Sequence, residues 1–431
     1  MFELAHVLHS QGFSISIIHT QFNAPNPANH ADFSFHPIPD GLSEAEASMA
    51  DLMPLFTSLN GKCAAPFRDR LSQMLVDAAA SDQEEPIACL ISDAFWYFSQ
   101  DVADGLGLPR FVLRTGNVSS FVVLAALPLL RQKGYFPIQE SQLESPVPEF
   151  PPLKVKDIPK VRTSDPELLF TFVTRMRAAT KASRGLIFNT FQELEEPAIE
   201  KLRREFGIPV FPVGPFHKSV PPSSTSLLPP DGTCISWLNT QPPKSVLYVS
   251  FGSLAAISES DFSEIAWGLA DSNRPFLWVI RPGLVRGSKG VHPLPEGLGG
   301  TVAGRAHIVD WAPQLDVLAH PATGGFWTHN GWNSTLESIC EGVPMICLPC
   351  FADQMVNARY VSDVWKVGIQ LENGIGRGEV ATAVRRLMAE EGGEEMRTRI
   401  EYLKEKAILC LKQGGSSYKS LQSLTSHMLS F

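Results

Sequence analysis

The sequence predicts an α/β protein made of two doubly wound, Rossmann-like domains that face a cleft. The chain has 431 residues, which is long enough for two hydrophobic cores. Short apolar runs typical of strands alternate with amphipathic runs typical of helices in both halves. Between the halves, residues 217–232 are rich in Pro and Ser and have no apolar period, as in a linker. We therefore predict a first domain at 1–216 and a second at 233–431.

Composition and charge disfavour several classes of partner. The net charge of −9 argues against nucleic acid or an anionic membrane as the main partner. The longest apolar run, residues 118–130, is interrupted by polar residues and is too short to span a bilayer. Seven cysteines, an odd number mostly within apolar runs, indicate buried free thiols in a reducing compartment. No basic segment precedes an apolar one at the start. We expect a cytoplasmic monomer.

The first half begins with a helix at residues 1–10, because its apolar residues have helical spacing and Gly12 follows as a stop. Residues 137–159, rich in Pro and acidic residues, are interpreted as an irregular surface segment of the first domain. The other predicted elements of this half are strands at 13–18, 33–36, 87–91, 110–113, 185–189 and 210–215, and helices at 54–80, 94–106, 168–182 and 194–206.

Asp93 stands just after the apolar strand at 87–91. A carboxylate at the carboxyl end of a parallel strand lies where open α/β sheets bind ligands. The same residue also fits an N-cap of the helix at 94–106, which is the simpler interpretation of Asp93 taken alone.

The second half repeats the alternation of strands and helices. A turn at Gly252-Ser253 follows its first strand. Its predicted strands are 245–251, 276–280, 325–328 and 343–348, and its predicted helices are 260–271, 378–391, 394–412 and 416–430.

The polar turn at 329–333 joins the strand at 325–328 to a helix that we expect to start at Ser334. Ser334 and Glu337 fit a capping box, and Gly342 is placed as the helix stop. The start of such a helix offers backbone N–H groups and the positive end of its dipole to an anion, most often phosphate. His329 would add a side-chain donor there.

Two alternatives bear on this turn. Neither of the common Gly-rich phosphate motifs occurs in the chain, so a hydride-transfer enzyme or a P-loop NTPase is disfavoured. The turn could also have no ligand at all: Ser334 and Glu337 would then only cap a helix, and His329 and Trp332 would be packed residues.

Three clusters of residues within 311–354 together resemble one family. Trp311-Ala-Pro-Gln314, His329-x-Gly331-Trp332-Asn333-Ser334-Thr-x-Glu337 and Asp353-Gln354 are similar, without a gap, to the donor-binding box of the plant secondary-product UDP-glycosyltransferases. The resemblance implies the GT-B fold, with the last helix packed back on the first domain. It also implies a UDP-glucose-dependent, inverting transfer of glucose to hydroxyl groups of small flavonoid, terpenoid or cytokinin-type metabolites. It implies no metal and no cofactor besides the donor substrate. One departure is Asn330, where relatives often carry Cys.

The resemblance also implies a donor-binding role for particular residues. The last residue of the box, a glutamine, suggests glucose as the sugar. By this resemblance Trp311 contacts the uracil; Gln314 and Glu337 the ribose; His329, Asn333 and Ser334 the diphosphate; Trp332, Asp353 and Gln354 the sugar; and Thr115, Ser253, Ala312 and Gly331 further parts of the donor.

The expected general base is a histidine whose second ring nitrogen is held by Asp93, the one catalytic residue that the resemblance carries over. In relatives this histidine lies in a Gly-His-x-x-Pro turn that leads into the helix found here at 1–10. His6, His9 and His19 do not fit the motif. We expect the first domain to lack its first, central strand and residues 1–431 to turn over weakly or not at all. The alternative is a non-catalytic paralogue that binds UDP-sugars.

Overall fold

The computed structural model divides the chain into two compact units. The first comprises residues 1–137, 161–221 and 410–431, and the second comprises residues 138–160 and 222–409. The structure describes every residue except 23, 45, 48–50, 81–85, 162, 164, 221–228, 289, 373 and 390. Half of the predicted linker, residues 221–228, therefore lies outside the described residues.

Helices and strands alternate in both units. The helices are α1 (Phe2–Ser10), α2 (Leu52–Lys62), α3 (Ala64–Ala80), α4 (Phe98–Gly105), α5 (Val118–Ala125), α6 (Leu127–Gln132), α7 (Pro166–Ala182), α8 (Gln192–Phe206), α9 (Thr233–Leu238), α10 (Glu259–Asp271), α11 (Leu298–Thr301), α12 (Gln314–Ala319), α13 (Trp332–Glu341), α14 (Gln354–Arg359), α15 (Arg377–Ala389), α16 (Glu391–Leu411) and α17 (Ser416–Met428). The strands are β1 (Ser16–Thr20), β2 (Ser34–Ile38), β3 (Leu90–Asp93), β4 (Arg110–Arg114), β5 (Gly185–Phe188), β6 (Val210–Pro212), β7 (Val246–Ser250), β8 (Phe276–Val279), β9 (Ala306–Val309), β10 (Thr323–Thr328), β11 (Met345–Cys347) and β12 (Gly368–Gln370).

The sheet of the first unit is in two pieces. β3, β4, β5 and β6 form a parallel four-stranded sheet in that order, whereas β1 and β2 form a separate parallel pair. Among the described residues, no strand joins β1 to β3. A doubly wound sheet that lacks its central first strand is expected to divide in this way.

Helices from both ends of the chain complete the core of the first unit. α1 contributes Leu4, Val7 and Leu8, and α17 contributes Leu424 and Met428 to the same apolar cluster. The last helix therefore belongs to the first unit, although it ends the sequence.

The second unit contains a six-stranded parallel sheet in the order β12-β11-β10-β7-β8-β9. Read from the β9 edge, this is the 3-2-1-4-5-6 order of doubly wound nucleotide-binding sheets. All residues of β7, β8 and β10 are buried, as expected for strands covered on both faces. The strand order reverses between β7 and β10, and a ligand crevice is expected at the carboxyl ends of these two strands.

The helix predicted at 54–80 and the strand predicted at 13–18 have different bounds in the structure. The helix predicted at 54–80 is divided at Cys63 into α2 and α3. Pro66, which has no N–H, falls in the first turn of α3, where no N–H bond within the helix is lost. The strand predicted at 13–18 runs from Ser16 to Thr20.

The segment 138–160 was predicted as part of the first domain, but the structure groups it with the second unit. A buried ion pair between Asp157 and Arg359 and a backbone bridge between Lys160 and Ala352 hold it there. An irregular segment has no apolar period, so its packing partner could not be predicted from the sequence.

All seven cysteines are free thiols, as predicted, and five of them are buried. Over the part of the chain that the structure describes, no helix has the length and apolar character needed to cross a membrane.

Candidate functional site

The predicted site residues of the second unit gather at the carboxyl edge of its sheet. Ser253 follows β7, Trp311 follows β9 and His329 follows β10. Asp353 and Gln354 lie between β11 and the start of α14. This is the edge where the strand order places a ligand crevice.

The turn after β10 differs from its prediction. Asn330 adopts the left-handed conformation, with φ of 60°, and Gly331 is the N-cap of α13 without a side-chain cap. The predicted capping box of Ser334 and Glu337 is therefore wrong, because the helix starts two residues earlier and Ser334 lies within its first turn. The N–H groups without partners inside a helix are those of its first turn, here residues 332–334. This position suits an anion.

The imidazole of His329 lies between two glycines. A Cβ atom added to Gly252 or to Gly331 would come within 2.5 Å of the ring, so a side chain at either position would displace it. Burial, followed by the positive charge of Arg281, lowers the pKa of His329 to about 4. At neutral pH the ring is therefore uncharged and acts as a hydrogen-bond donor or acceptor.

Arg281 is a site residue that the sequence reasoning missed. Its buried guanidinium donates to the carbonyl oxygens of Gly252, at 2.6 Å, and of Ala255. These bonds fix a positive charge beneath the turn that carries Ser253. Arg281 comes two residues after the end of β8, so its place near the carboxyl end of a buried strand was the available signal.

A second group forms around Gln314 at the start of α12. The amide of Gln314 donates to the hydroxyl of Ser334 at 3.0 Å and to the carboxylate of Glu337 at 2.7 Å. Its carbonyl oxygen accepts from the hydroxyl of Tyr248 at 3.3 Å. The structure thus brings together three residues predicted from the resemblance and adds Tyr248, a buried residue of β7 that was predicted only as part of a strand.

Asp353 and Gln354, the last two residues of 311–354, are held by hydrogen bonds within the protein. The amide of Asn357 donates to Asp353 Oδ2 at 3.1 Å and to the carbonyl oxygen of Asn330 at 2.9 Å. The side-chain oxygen of Gln354 accepts from the backbone N–H groups of Cys350 and Phe351 at 2.9 and 3.1 Å. Asn357, one helical turn after Asp353, was also missed.

The other predicted residues of this unit differ in exposure. Trp332 is only 3% exposed, and its ring centroid lies 6.3 Å from that of Trp365. This agrees with the alternative in which Trp332 is a packed residue. Ser253 and Asn333 are exposed, Trp311 is half-buried and Ala312 is buried.

Asp93 and Thr115 form a separate group in the first unit. Asp93 accepts from the N–H of Phe95 at 2.8 Å and from the hydroxyl of Thr115 at 3.5 Å. A guanidinium nitrogen of Arg114 lies 4.0 Å from its Oδ1. The interpretation of Asp93 as a helix N-cap is wrong, because α4 begins only at Phe98 and Asp93 closes a turn instead.

The amino group at the start of α1 is influenced electrostatically by Asp93. Desolvation lowers the pKa of the Met1 amino group, while the charges of Glu3 and Asp93 act in the opposite direction. The three histidines that do not fit the motif have other hydrogen bonds. His6 bonds to His30 at 3.1 Å, and His9 and His19 bond to backbone carbonyls.

Comparisons with known proteins give a consistent result. Residues 230–403, which contain every site residue of the second unit, match the model of the family described as UDP-glucoronosyl and UDP-glucosyl transferase. UDP-glycosyltransferase 76B1 of Arabidopsis thaliana is 50% identical over 431 residues, 100% of this chain and 95% of the relative. UDP-glycosyltransferase 76G1 of Stevia rebaudiana is 48% identical over 99% of this chain and 93% of the relative.

A solved structure has the same fold. Phytolacca americana UGT2, in its complex with UDP-2fluoro-glucose and pterostilbene, is similar with a TM-score of 0.82 at 30% identity. The alignment covers 99% of this chain and 95% of that one.

Proposed function

The chain belongs to the plant family 1 UDP-glycosyltransferases, enzymes of the GT-B fold, and from this premise we propose that it transfers glucose from UDP-glucose to a hydroxyl group of a small plant metabolite. One observation carries the proposal. The second unit gathers Gln314, Ser334 and Glu337 through hydrogen bonds at the carboxyl edge of its sheet. The similarity to a protein solved with UDP-2fluoro-glucose supports the same donor class here.

The nucleoside part of the donor is assigned to residues that follow β9 or lie on α12 and α13. The half-buried indole of Trp311 offers a flat face to the uracil. The carboxylate of Glu337 accepts from the two neighbouring ribose hydroxyls. Gln314, held by Tyr248, keeps this carboxylate oriented before the donor arrives.

The diphosphate is assigned to the start of α13. First-turn N–H groups and the helix dipole favour the negative charge that grows on UDP as it leaves. Neutral His329 supplies a further hydrogen bond, and Arg281 supplies a fixed positive charge nearby. Asp353 accepts from sugar hydroxyls, and Asn357 holds it in place.

The reaction is a single displacement with inversion. The acceptor oxygen forms a bond to the anomeric carbon as the bond from that carbon to UDP breaks, and the acceptor proton passes to a base. Asp93 orients a histidine base and stabilises its imidazolium form. In relatives that histidine lies in a Gly-His-x-x-Pro turn that leads into the helix corresponding to α1, and we propose a histidine in such a turn as the base. The charge of Asp93 acts on the Met1 amino group at the start of α1, the helix that such a turn would enter.

The acceptor is proposed to be a phenolic or similar small hydroxyl compound of the flavonoid, terpenoid or cytokinin type. The relative from Phytolacca americana was solved with pterostilbene, which carries a phenolic hydroxyl.

The test measures UDP release with UDP-glucose and a panel of phenolic and terpenoid acceptors. Residues 1–431 are compared with a chain that carries, before Met1, the strand and Gly-His turn of a relative. We expect both chains to bind UDP-glucose and only the extended one to turn over well. The matched control is the extended chain with the turn histidine changed to alanine, which should lose turnover and keep donor binding.

The other outcomes are distinct. Equal turnover by both chains would contradict the assigned base. Donor binding without turnover in either chain would favour the non-catalytic alternative. A wild-type chain that does not bind UDP-glucose would contradict the proposed function itself.

A further inference from the structure

Residues 138–160, called the strap below, leave the unit to which their neighbours in sequence belong. The chain on both sides of the strap lies in the first unit, whereas the strap is part of the second. The described residues of the strap have little regular structure beyond two short 3₁₀ turns, Glu140–Gln142 and Val155–Asp157. Its position therefore depends on side-chain contacts and on single backbone bonds.

The first of these contacts is a buried ion pair with the last residue of α14. Arg359 donates to the two carboxylate oxygens of Asp157 at 2.9 and 3.4 Å, and the side chains are only 3% and 2% exposed. Arg359 also contacts Asp363 and Glu372, at 3.1 and 2.6 Å. Removing one member of such a pair leaves a buried charge without its main partner, so the strap and α14 are strongly coupled.

The second contact is a backbone bond to the turn before α14. The N–H of Ala352 donates to the carbonyl oxygen of Lys160, at 3.0 Å. Ala352 has a φ of 55°, a left-handed conformation that alanine keeps only when its surroundings hold it. The next two residues are Asp353 and Gln354, which are assigned to the sugar.

We propose that the strap is a positioning element for the turn that faces the transferred sugar, with Asp157 and Arg359 as its anchoring pair. This inference rests on the proposed function. Lys160 holds Ala352 in its left-handed conformation, and Asp157 fixes the end of α14. From the same helix, Asn357 holds the carboxylate of Asp353. A segment from the first half of the sequence thereby sets the geometry with which the second unit receives glucose.

The proposal predicts different effects on the binding of the two parts of the donor, UDP and the glucosyl group. The residues assigned to uracil, ribose and diphosphate lie on other elements, after β7, β8, β9 and β10 and on α12 and α13. Loosening the strap should therefore weaken the binding of the glucosyl group and leave the binding of UDP nearly unchanged.

The experiment measures dissociation constants for UDP and UDP-glucose by titration calorimetry on the full chain. For Asp157→Asn we expect the Kd for UDP-glucose to rise roughly 3- to 30-fold, while the Kd for UDP changes less than about twofold. The matched control is Glu140→Gln, an exposed strap carboxylate at the start of the first 3₁₀ turn. Both constants should be unchanged in this control.

A second variant keeps the test decisive if Asp157→Asn does not fold. Ala352→Gly leaves the buried ion pair intact but allows the turn to leave its left-handed conformation. We expect the same selective loss of UDP-glucose affinity. An equal loss for both ligands, or no loss for either, would overturn the positioning role. A wild-type chain that binds neither ligand would instead refute the proposed function, and the positioning role with it.

Discussion

The imidazole of His329 occupies a space that only two glycines leave open. For Gly252→Ala we expect UDP-glucose affinity to fall at least tenfold, because the new Cβ would lie 2.5 Å from the ring. The matched control is Gly207→Ala at the end of α8, where φ is 70° against 69° at Gly252 and no atom lies within 4 Å of the added Cβ. The control has the same backbone strain without the contact, so equal loss of binding in both variants would contradict the role of the close approach.

The lowered pKa of His329 predicts how the stability of the folded chain depends on pH. Its pKa is lowered from an ordinary 6.5 to about 4 in the folded chain, so unfolding takes up a proton between these values. The stability contributed by the neutral ring is complete above pH 6.5 and is lost as the pH falls towards 4. His329→Gln should therefore lose less stability over this interval than the wild type, as measured by urea unfolding. Parallel pH curves for the two proteins would contradict the assignment.

The binding of UDP-glucose should also reflect the neutral state of His329. The diphosphate of UDP-glucose carries no group that titrates between pH 6 and 8, so the Kd for UDP-glucose should be flat in this range as far as His329 is concerned. A step near pH 6.5 that disappears in His329→Gln would mean that the ring is charged when it binds the donor.

Single residues also show where sequence reasoning ends. The resemblance found Gln314, Ser334 and Glu337, and the structure brings them together. It did not find Tyr248 or Arg281, because a buried tyrosine and an arginine after a strand have no spacing that marks them as parts of a site. Their roles depend on hydrogen bonds between elements far apart in sequence.

At the scale of elements, the prediction was good where the apolar period was strong. β7, β8 and α17 were predicted to within two residues at each end, and Gly342 ends α13 as expected. The start of α13 was predicted two residues too late. The left-handed conformation of Asn330 and the Gly331 N-cap, which has no side chain, cannot be detected from the spacing of apolar residues. Loop conformation and tertiary contacts, not periodicity, decide such boundaries.

The divided sheet of the first unit predicts uneven local stability. β1 pairs with a strand on one side only within the described residues, whereas β4 lies between β3 and β5. In native-state hydrogen exchange, the amides of β1 should exchange at least tenfold faster than those of β4, since local opening there breaks fewer bonds. Equal protection of the two strands would show that the division of the sheet has no consequence for stability.

At the scale of the whole molecule, the last helix is part of the first core. Leu424→Ala on α17 should destabilise the first unit by about 2–5 kcal/mol, because it leaves a cavity beside Leu4 and Val7. UDP binding, which is assigned to the second unit, should persist. The matched control is Leu429→Ala, whose side chain is 69% exposed and whose removal should change stability by less than about 0.5 kcal/mol. Thermal unfolding followed with and without UDP measures both effects.

The return of α17 to the first unit also bears on biosynthesis. A chain emerges from the ribosome with its first residues leading, and domains commonly fold in that order. Here Leu4, Val7 and Leu8 share a core with Leu424 and Met428, which are made after the whole second unit. The first unit cannot complete its core until residues 410–431 have been synthesised, and part of its apolar surface stays exposed until then. The unit whose synthesis starts first is therefore completed only after the other unit has been synthesised.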